Sequence, residues 1–269
     1  MKGSLRGKMP GDDWGQLASV RGFTAYLYSH PGKQLTFMGA ELGQWHEWDF
    51  AGQLDWYLLR EEPANAKMQD FFRAINRFYL ENPELWEIDF GWEGFEWIVP
   101  DDNENNVIVF LRRDKKGNEL IAAINFSPNH YENYRFGVPS KKEYTEVFNT
   151  DRPEYGGSGW NYNGTVKCER IWSHDREASI AVTLPPYGAI YLRGSGELPS
   201  EEEEKAAVEK AKKTAEKKPA AKKATAKKTS AKAKKTESDN KASEGVKARK
   251  PGRPKKAAVT THKKTGETK

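Results

Sequence analysis

The sequence predicts an α+β protein in which a short helical segment precedes an antiparallel all-β domain and a disordered, Lys-rich tail. Three observations lead to this fold class. Apolar residues recur at helical spacing in two stretches before residue 90, eight short strand-like runs follow, and aromatic residues stop at Tyr191. We therefore divide the chain into segments 1–90, 91–194 and 195–269.

The first segment predicts the order helix, strand, loop, helix. Asp12 and Asp13 can cap a first helix that starts near Trp14, in which apolar side chains follow at three- and four-residue spacing as far as residue 27. The run QLTFMG at 34–39 predicts a short strand that is buried on both faces, because it is almost entirely apolar. A second helix is expected over about residues 65–80. Together these elements make about one and a half β/α units, too little to close a sheet.

The second segment predicts an antiparallel β-sandwich that folds by itself. Turn residues, such as DKKGN at 114–118, separate its strand-like runs at the short spacing that is typical of this architecture. The eight runs are FEWIV, NVIVFLRR, ELIAAINF, YRFGV, YTEVFN, TVKCERIW, SIAVTLP and GAIYLR. Two tryptophans within these runs, Trp97 and Trp172, are expected to be buried.

The tail has the opposite charge to the rest of the chain. Residues 197–269 hold 23 Lys and Arg against 11 Asp and Glu, a net charge of +12, whereas the residues before them carry −7. Without aromatics the tail cannot bury enough apolar surface to offset the entropy of ordering, so we expect disorder. Gly252, Arg253 and Pro254 form the core of a stretch that resembles an AT-hook, which predicts weak, nonspecific nucleic-acid binding. The alternative is a solvated tail without a dedicated partner.

Composition also limits the compartment and the chemistry. Cys168 is the only cysteine, so an intrachain disulfide is excluded, and no run of about 18 apolar residues occurs. The sequence therefore predicts a cytoplasmic protein with no membrane partner. Its histidines show no metal-ligand spacing with Cys168, and we expect neither a metal site nor a cofactor.

The stretch LTFMGAELGQWHEWDF at 35–50 carries the candidate binding site. Acidic and tryptophan side chains follow a strand-like run, a pattern typical of a sugar-binding cleft, because Trp packs on sugar C–H faces and keeps an N–H donor. The candidate substrate-binding residues are Glu41, Gln44, Trp45 and Trp48. In the alternative interpretation, the two tryptophans pack beneath the second helix. No residue is assigned a catalytic role, since a single strand cannot supply the opposite wall that a pair of catalytic carboxylates requires.

Nine motifs occur in order over residues 1–194. They are KGSLRGKMPGDDW, HPGKQLTFMGAELGQWHEWDF, LDWYLL, GFEWIVPDD, VIVFLRRDKKGNELIAAINFSP, YRFGVP, EVFNTD, YGGSG and TLPPYGAIYLR. Together they resemble the C-terminal third of bacterial 1,4-α-glucan (glycogen) branching enzymes, in the α-amylase-like glycoside hydrolase family. The resemblance implies an α+β fragment: the last one and a half β/α units of a (β/α)8 barrel, followed by a β-sandwich.

The same resemblance implies an activity and a substrate. Branching enzymes cut an α-1,4 link in a glucan such as glycogen or amylose and make an α-1,6 branch, through an Asp nucleophile, a Glu acid/base and a second Asp. Matched to the family, residues 17–30 fall on barrel helix seven, 34–39 on strand eight and 65–82 on helix eight. All three catalytic carboxylates then lie upstream of Lys2. We expect this chain to be inactive alone, as a truncated product or as the complement of a polypeptide that carries the N-terminal part.

A second function class stays open from the sequence. The tryptophan-containing stretch at 35–50 can hold a glucan and the basic tail a polyanion such as DNA. The alternative is thus an accessory binding protein.

Overall fold

The computed structural model describes residues 3–46, 49, 51–200 and 202–203, which all lie in one compact unit. The helices are α1 (Asp13–Ser29), α2 (Leu58–Glu61) and α3 (Pro63–Glu81). The strands are β1 (Phe95–Asp102), β2 (Val107–Arg113), β3 (Glu119–Asn125), β4 (Tyr131–Val138), β5 (Lys141–Asn149), β6 (Thr165–Lys167), β7 (Ala178–Leu184) and β8 (Gly188–Glu197). Short 3-10 turns occur at Arg6–Lys8, Ala40–Leu42, Pro83–Leu85, Trp92–Gly94 and Pro153–Tyr155.

The two long helices form where the spacing of apolar residues predicts them. The Asp12 carboxylate caps α1 by accepting a hydrogen bond from the Gly15 amide at 2.8 Å. Helix α3 begins with Pro63, whose missing N–H costs nothing in the first turn, and it ends before Pro83. Within the described residues, no helix is long and apolar enough to cross a membrane.

All eight strand-like runs contribute a strand or part of one. The larger sheet has the order β1-β2-β3-β8-β5-β6, and β4 pairs with β7 in a second sheet. All the pairings are antiparallel, so the predicted all-β antiparallel domain is confirmed. The run TVKCERIW forms a shorter strand than predicted. Only Thr165–Lys167 is a strand, and the residues after it are mostly exposed.

The central strands are apolar on both sides because each of their two faces covers a separate core. Successive residues of a strand point to opposite faces. In the register of β2, β3 and β8, one row holds Val109, Ala123 and Ile190, which face a core closed by the β4–β7 sheet. The next row, Phe110–Ala122–Tyr191, faces a second core closed by α1 and α3. The helices are therefore part of the sandwich's own packing.

A buried ion pair ties this second core to the segment before β1. The side chain of Arg112, which is fully buried, donates to the Asp89 carboxylate at 2.9 Å and to the Ser29 carbonyl, at the end of α1, at 2.7 Å. A third hydrogen bond, of 3.2 Å, reaches the Gly94 carbonyl. Burial lowers the pKa of Arg112, and the hydrogen bond to Asp89 opposes that shift. One side chain thus joins three segments of the chain.

The prediction of a strand buried on both faces at 34–39 is wrong. No part of it is assigned to a strand, and the side chains of Leu35 and Phe37 are 83% and 63% exposed. A strand needs a neighbour that completes its hydrogen-bond ladder, and among the described residues none runs beside this segment. The composition showed that the segment is apolar, but it did not show which strand would pair with it.

The predicted burial of two tryptophans is also wrong. Trp97 is 43% exposed, although its ring contacts the rings of Phe95 and Phe110 at centroid distances of 4.9 and 5.6 Å. Trp172, which lies beyond the end of β6, is 66% exposed. Location within a strand-like run did not decide burial, because β1 is an edge strand and the ladder of β6 ends at Lys167.

We expect Gly22→Ala to destabilise the protein although alanine favours a helix. A Cβ at Gly22 would collide with the carbonyl oxygen of Tyr187, just before β8. Overpacking of this kind costs about 1–3 kcal/mol, whereas Gly→Ala within a helix gains about 1 kcal/mol. Urea unfolding of the variant should therefore show a net loss. A variant as stable as the parent chain, or more stable, would contradict the close approach of α1 to the sheet.

Candidate functional site

A cavity of about 240 Å³ lies between residues 3–8, helix α1 and the loop that follows it. Its apolar lining includes Phe23, Leu35 and Phe37, and its basic lining includes Arg6 and Lys8. None of the described residues that line it is a carboxylate. A retaining glycosidase needs two carboxyl groups about 5–5.5 Å apart, so these residues can bind a ligand but cannot supply that reaction.

Arg6 lines this cavity and is buried. Its guanidinium donates to the Gly43 carbonyl at 3.4 Å, forms an ion pair with Asp13 at 3.4 Å and lies 4.1 Å from the centre of the Trp45 ring. Burial lowers the pKa of Arg6, and the charge of Asp13 opposes that shift. Arg6 therefore connects residues 3–8, helix α1 and the stretch at 35–50, which we call the candidate loop.

The Gln44 side chain is buried and stabilises the loop. Its amide group donates to the His46 carbonyl at 3.1 Å and accepts from the Asp55 amide at 3.4 Å. It packs against Gly39, which has a positive φ of 82°, and a side chain at that position would collide with Gln44. Gln44 lines the cavity, and its hydrogen bonds hold the loop in this shape.

The other candidates divide between the loop surface and the residues that are not described. Trp45 is 45% exposed, with Arg6 over one ring face. Glu41 is half-buried in the turn that precedes Gln44, and it is not among the residues that line the cavity. Trp48 falls outside the described residues. Glu41 thus lies in the turn, and Gln44 and Trp45 lie in the residues after it; their role in substrate binding stays a prediction.

A smaller cavity of about 120 Å³ adjoins the first and shares Met38, Gln44 and His46 with it. It also contains Asp49 and Asp55. The carboxylate of Asp55 lies 2.8 Å from Nδ1 of His46, whose side chain is 75% exposed. This part of the site offers acceptors and donors of the kind that bind sugar hydroxyls.

Sequence reasoning missed two of these groups, Arg6 and Asp55. Arg6 belongs to the motif KGSLRGKMPGDDW, which was identified, but nothing in its spacing indicated a contact with Trp45 across 39 positions. Asp55 meets His46 only because the loop folds back on itself, and that contact has no periodic signal. Among the described residues, no group of three or more His, Cys, Asp and Glu could hold a metal ion. The AT-hook-like residues Gly252, Arg253 and Pro254 lie outside the described part of the chain.

Comparison with known proteins shows which proteins the chain is similar to. Residues 97–195 match the family described as the alpha amylase C-terminal all-beta domain. A 1,4-alpha-glucan branching enzyme of Clostridium perfringens (strain 13 / Type A) is 40% identical over 204 residues, which is 75% of this chain and 30% of that protein. The chain matches the C-terminal portion of bacterial 1,4-alpha-glucan branching enzymes.

Other branching enzymes show the same relation. The protein of Aquifex aeolicus (strain VF5) is 45% identical over 196 residues, which is 72% of this chain and 31% of the relative. That of Trichodesmium erythraeum (strain IMS101) is 44% identical over 193 residues, 71% of this chain and 25% of the relative. The predicted resemblance to branching enzymes is confirmed. The chain spans between 25% and 31% of the length of these three relatives.

Proposed function

We propose that this chain forms the C-terminal part of a 1,4-alpha-glucan branching enzyme, which moves α-1,4-linked segments of glycogen or amylose to α-1,6 positions. The observation that carries the proposal is the identity of 40–45% to branching enzymes over 193–204 residues. That similarity is not confined to the all-β domain at 97–195, because the aligned length of 204 residues exceeds the length of that domain. The loop would form one wall of the glucan cleft.

The helical part would belong to the end of a (β/α)8 barrel. Helix α1 corresponds to barrel helix seven, the segment 34–39 to strand eight, and α3 to helix eight. The exposed side chains of Leu35, Phe37 and Met38 support this assignment, because barrel strands bury such side chains against neighbouring strands. In this proposal, the segment becomes a strand when the rest of the barrel is present.

The chain would be catalytically silent by itself. The resemblance assigns none of the family's three catalytic carboxylates to a residue of this sequence, and the larger cavity has no carboxylate among its described lining. Gln44, Trp45 and Glu41, with Trp48, would contribute contacts to the sugar and no proton transfer. A polypeptide that supplies the N-terminal part would complete the enzyme.

The proposal predicts activity only when the rest of an enzyme is supplied. The purified chain, incubated with amylose, should leave the iodine stain unchanged and give no new α-1,6 links on debranching. A chimera in which this chain replaces the matching portion of the Aquifex aeolicus branching enzyme should branch amylose. Branching by the chain alone would overturn the claim of silence. A folded chimera without activity would count against the proposed function.

In the active chimera, Trp45→Ala tests the cleft wall. Removing one stacking ring should raise KM for amylose by about three- to tenfold, the equivalent of about 0.7–1.4 kcal/mol, and leave kcat nearly unchanged. Trp86→Ala is the matched control, because Trp86 is 41% exposed and lies outside the loop. An equal KM for Trp45→Ala and the parent chimera would remove Trp45 from the substrate site.

The net charge of +12 on residues 197–269 supports the alternative function, an accessory binding protein. Such a protein would bind a polyanion through the tail with an affinity that falls steeply as salt rises. Retained affinity at high salt would argue against simple phosphate binding. A chimera that branches amylose would favour the enzyme role as the main function, with the tail as an addition to it.

A further inference from the structure

The loop between β5 and β6, residues 150–164, displays two aromatic side chains to solvent. Trp160 is 90% exposed and Tyr162 is 58% exposed, whereas Asn161 between them is 5% exposed. Rings as exposed as these add little to the core. Two of them on one short loop are a larger apolar surface than a solvated turn requires.

The inner side of this loop is held by a hydrogen-bonded network. The Asp151 carboxylate accepts from the Ser158 amide at 2.8 Å and from the side-chain amide of Asn161 at 2.6 Å. Glu146, which is buried, accepts from the backbone and side chain of Asn163 at 3.1 and 2.8 Å. Both neighbours of Tyr162 are therefore fixed to the sheet or to the loop itself.

Both long helices also donate hydrogen bonds to this loop. The Trp14 indole donates to the Gly156 carbonyl at 3.1 Å, and Lys67 donates to the Pro153 carbonyl at 3.0 Å. Arg21, which is buried, donates to the Thr150 carbonyl at 3.1 Å. Because the loop is fixed before any ligand arrives, binding there carries little ordering cost.

The alternation of exposure along 160–162 is the basis for placing the two rings on the same side of the loop. In an extended stretch, residues two apart lie on one face, at a separation of roughly 6.5–7 Å along the chain. The alternation of exposed Trp160, buried Asn161 and exposed Tyr162 follows this rule. The Arg152 guanidinium lies 4.4 Å from the centre of the Tyr162 ring, which fixes one face of that ring. The exposed Glu154 adds a hydrogen-bond acceptor on the same loop.

We propose that Trp160 and Tyr162 form a surface platform that binds a glucan chain, with Arg152 and Glu154 pairing with its hydroxyls. Two rings in tandem match consecutive sugar units, whose C–H faces stack on aromatic rings while their hydroxyls need polar partners. A stable protein partner would bury about 1,200 Å² or more, and two rings in a polar loop offer far less apolar area. The choice of an α-glucan as the sugar rests on the proposed function.

Affinity electrophoresis of the full chain in gels that contain glycogen tests the platform. The parent chain should be retarded, and the double change Trp160→Ala and Tyr162→Ala should weaken the apparent affinity about tenfold. Trp172→Ala is the matched control, because Trp172 is 66% exposed outside the loop, and its affinity should change less than about twofold. Circular dichroism should show the same folded content in all three chains.

Three results would overturn the platform: a parent chain that glycogen does not retard, a double variant with parental affinity, and an equal loss in Trp172→Ala. The failure of the proposed function is distinguishable, because the gel measures binding without catalysis. An inactive chimera together with a loss confined to the double variant would leave a glucan-binding platform and remove the enzyme role. An active chimera with no effect of the double change would remove the platform alone.

Discussion

Replacing Arg112 with methionine should cost about 3–5 kcal/mol of the free energy of unfolding, because the change leaves a buried charge without its partner. The side chains of Arg112 and Asp89 are 0% and 3% exposed, and their nitrogen and oxygen atoms lie 2.9 Å apart. Methionine fills similar space but donates no hydrogen bond. The carboxylate of Asp89 and the carbonyls of Ser29 and Gly94 would then lose a donor in the protein interior.

The neighbouring residue on the same strand provides the control. Arg113 also pairs with carboxylates, Glu96 at 2.6 Å and Glu119 at 3.0 Å, but it faces the other way and its side chain is 29% exposed. Arg113→Met should cost less than about 1 kcal/mol, because solvent screens this pair. Urea unfolding of both variants at pH 7 measures the difference. Similar losses for the two would mean that the buried pair does not hold the segments together.

Isolating residues 92–194 should abolish cooperative unfolding, although the sequence predicts that the sandwich folds by itself. The face of the larger sheet that α1 and α3 cover would become exposed. Five of its large buried side chains there are Phe110, Leu120, Ile124, Phe148 and Tyr191. Burial of one such side chain is worth about 1.5–3 kcal/mol, so together they approach the about 5–15 kcal/mol that stabilises a whole domain.

Thermal melts of residues 92–194 and 1–200, each followed with a dye that binds exposed apolar surface, measure this effect. The longer chain should melt sharply and bind little dye. The shorter chain should bind dye before heating and melt over a broad range, because its second core has lost one wall. Coincident sharp melts would show that the helices contribute little and would restore the boundary at residue 91 as a boundary of independent folding.

In the candidate site, local sequence patterns predict some features, and long-range contacts decide others. Trp45 and Gln44 could be named from the sequence because acid and tryptophan residues cluster after an apolar run. The buried hydrogen bonds of Gln44 and the contact of Trp45 with Arg6 could not, since they depend on how the loop folds back toward the start of the chain. The exposed pair Trp160 and Tyr162 had no signal beyond its residue types, because exposure depends on which residues anchor the loop.

The sequence by itself determined the two long helices, the strand runs of the all-β domain and the relation to branching enzymes. Each of these depends on short-range periodicity, on caps and turns, or on motifs that are read in order. Only the tertiary structure decided that α1 and α3 close a second core on the sheet, and that Arg112 joins three segments. Only it decided that the apolar segment 34–39 is exposed and unassigned to a strand. The physical reason is that a side chain is buried only when a second surface packs against it, and the composition of one segment does not specify which surface that is.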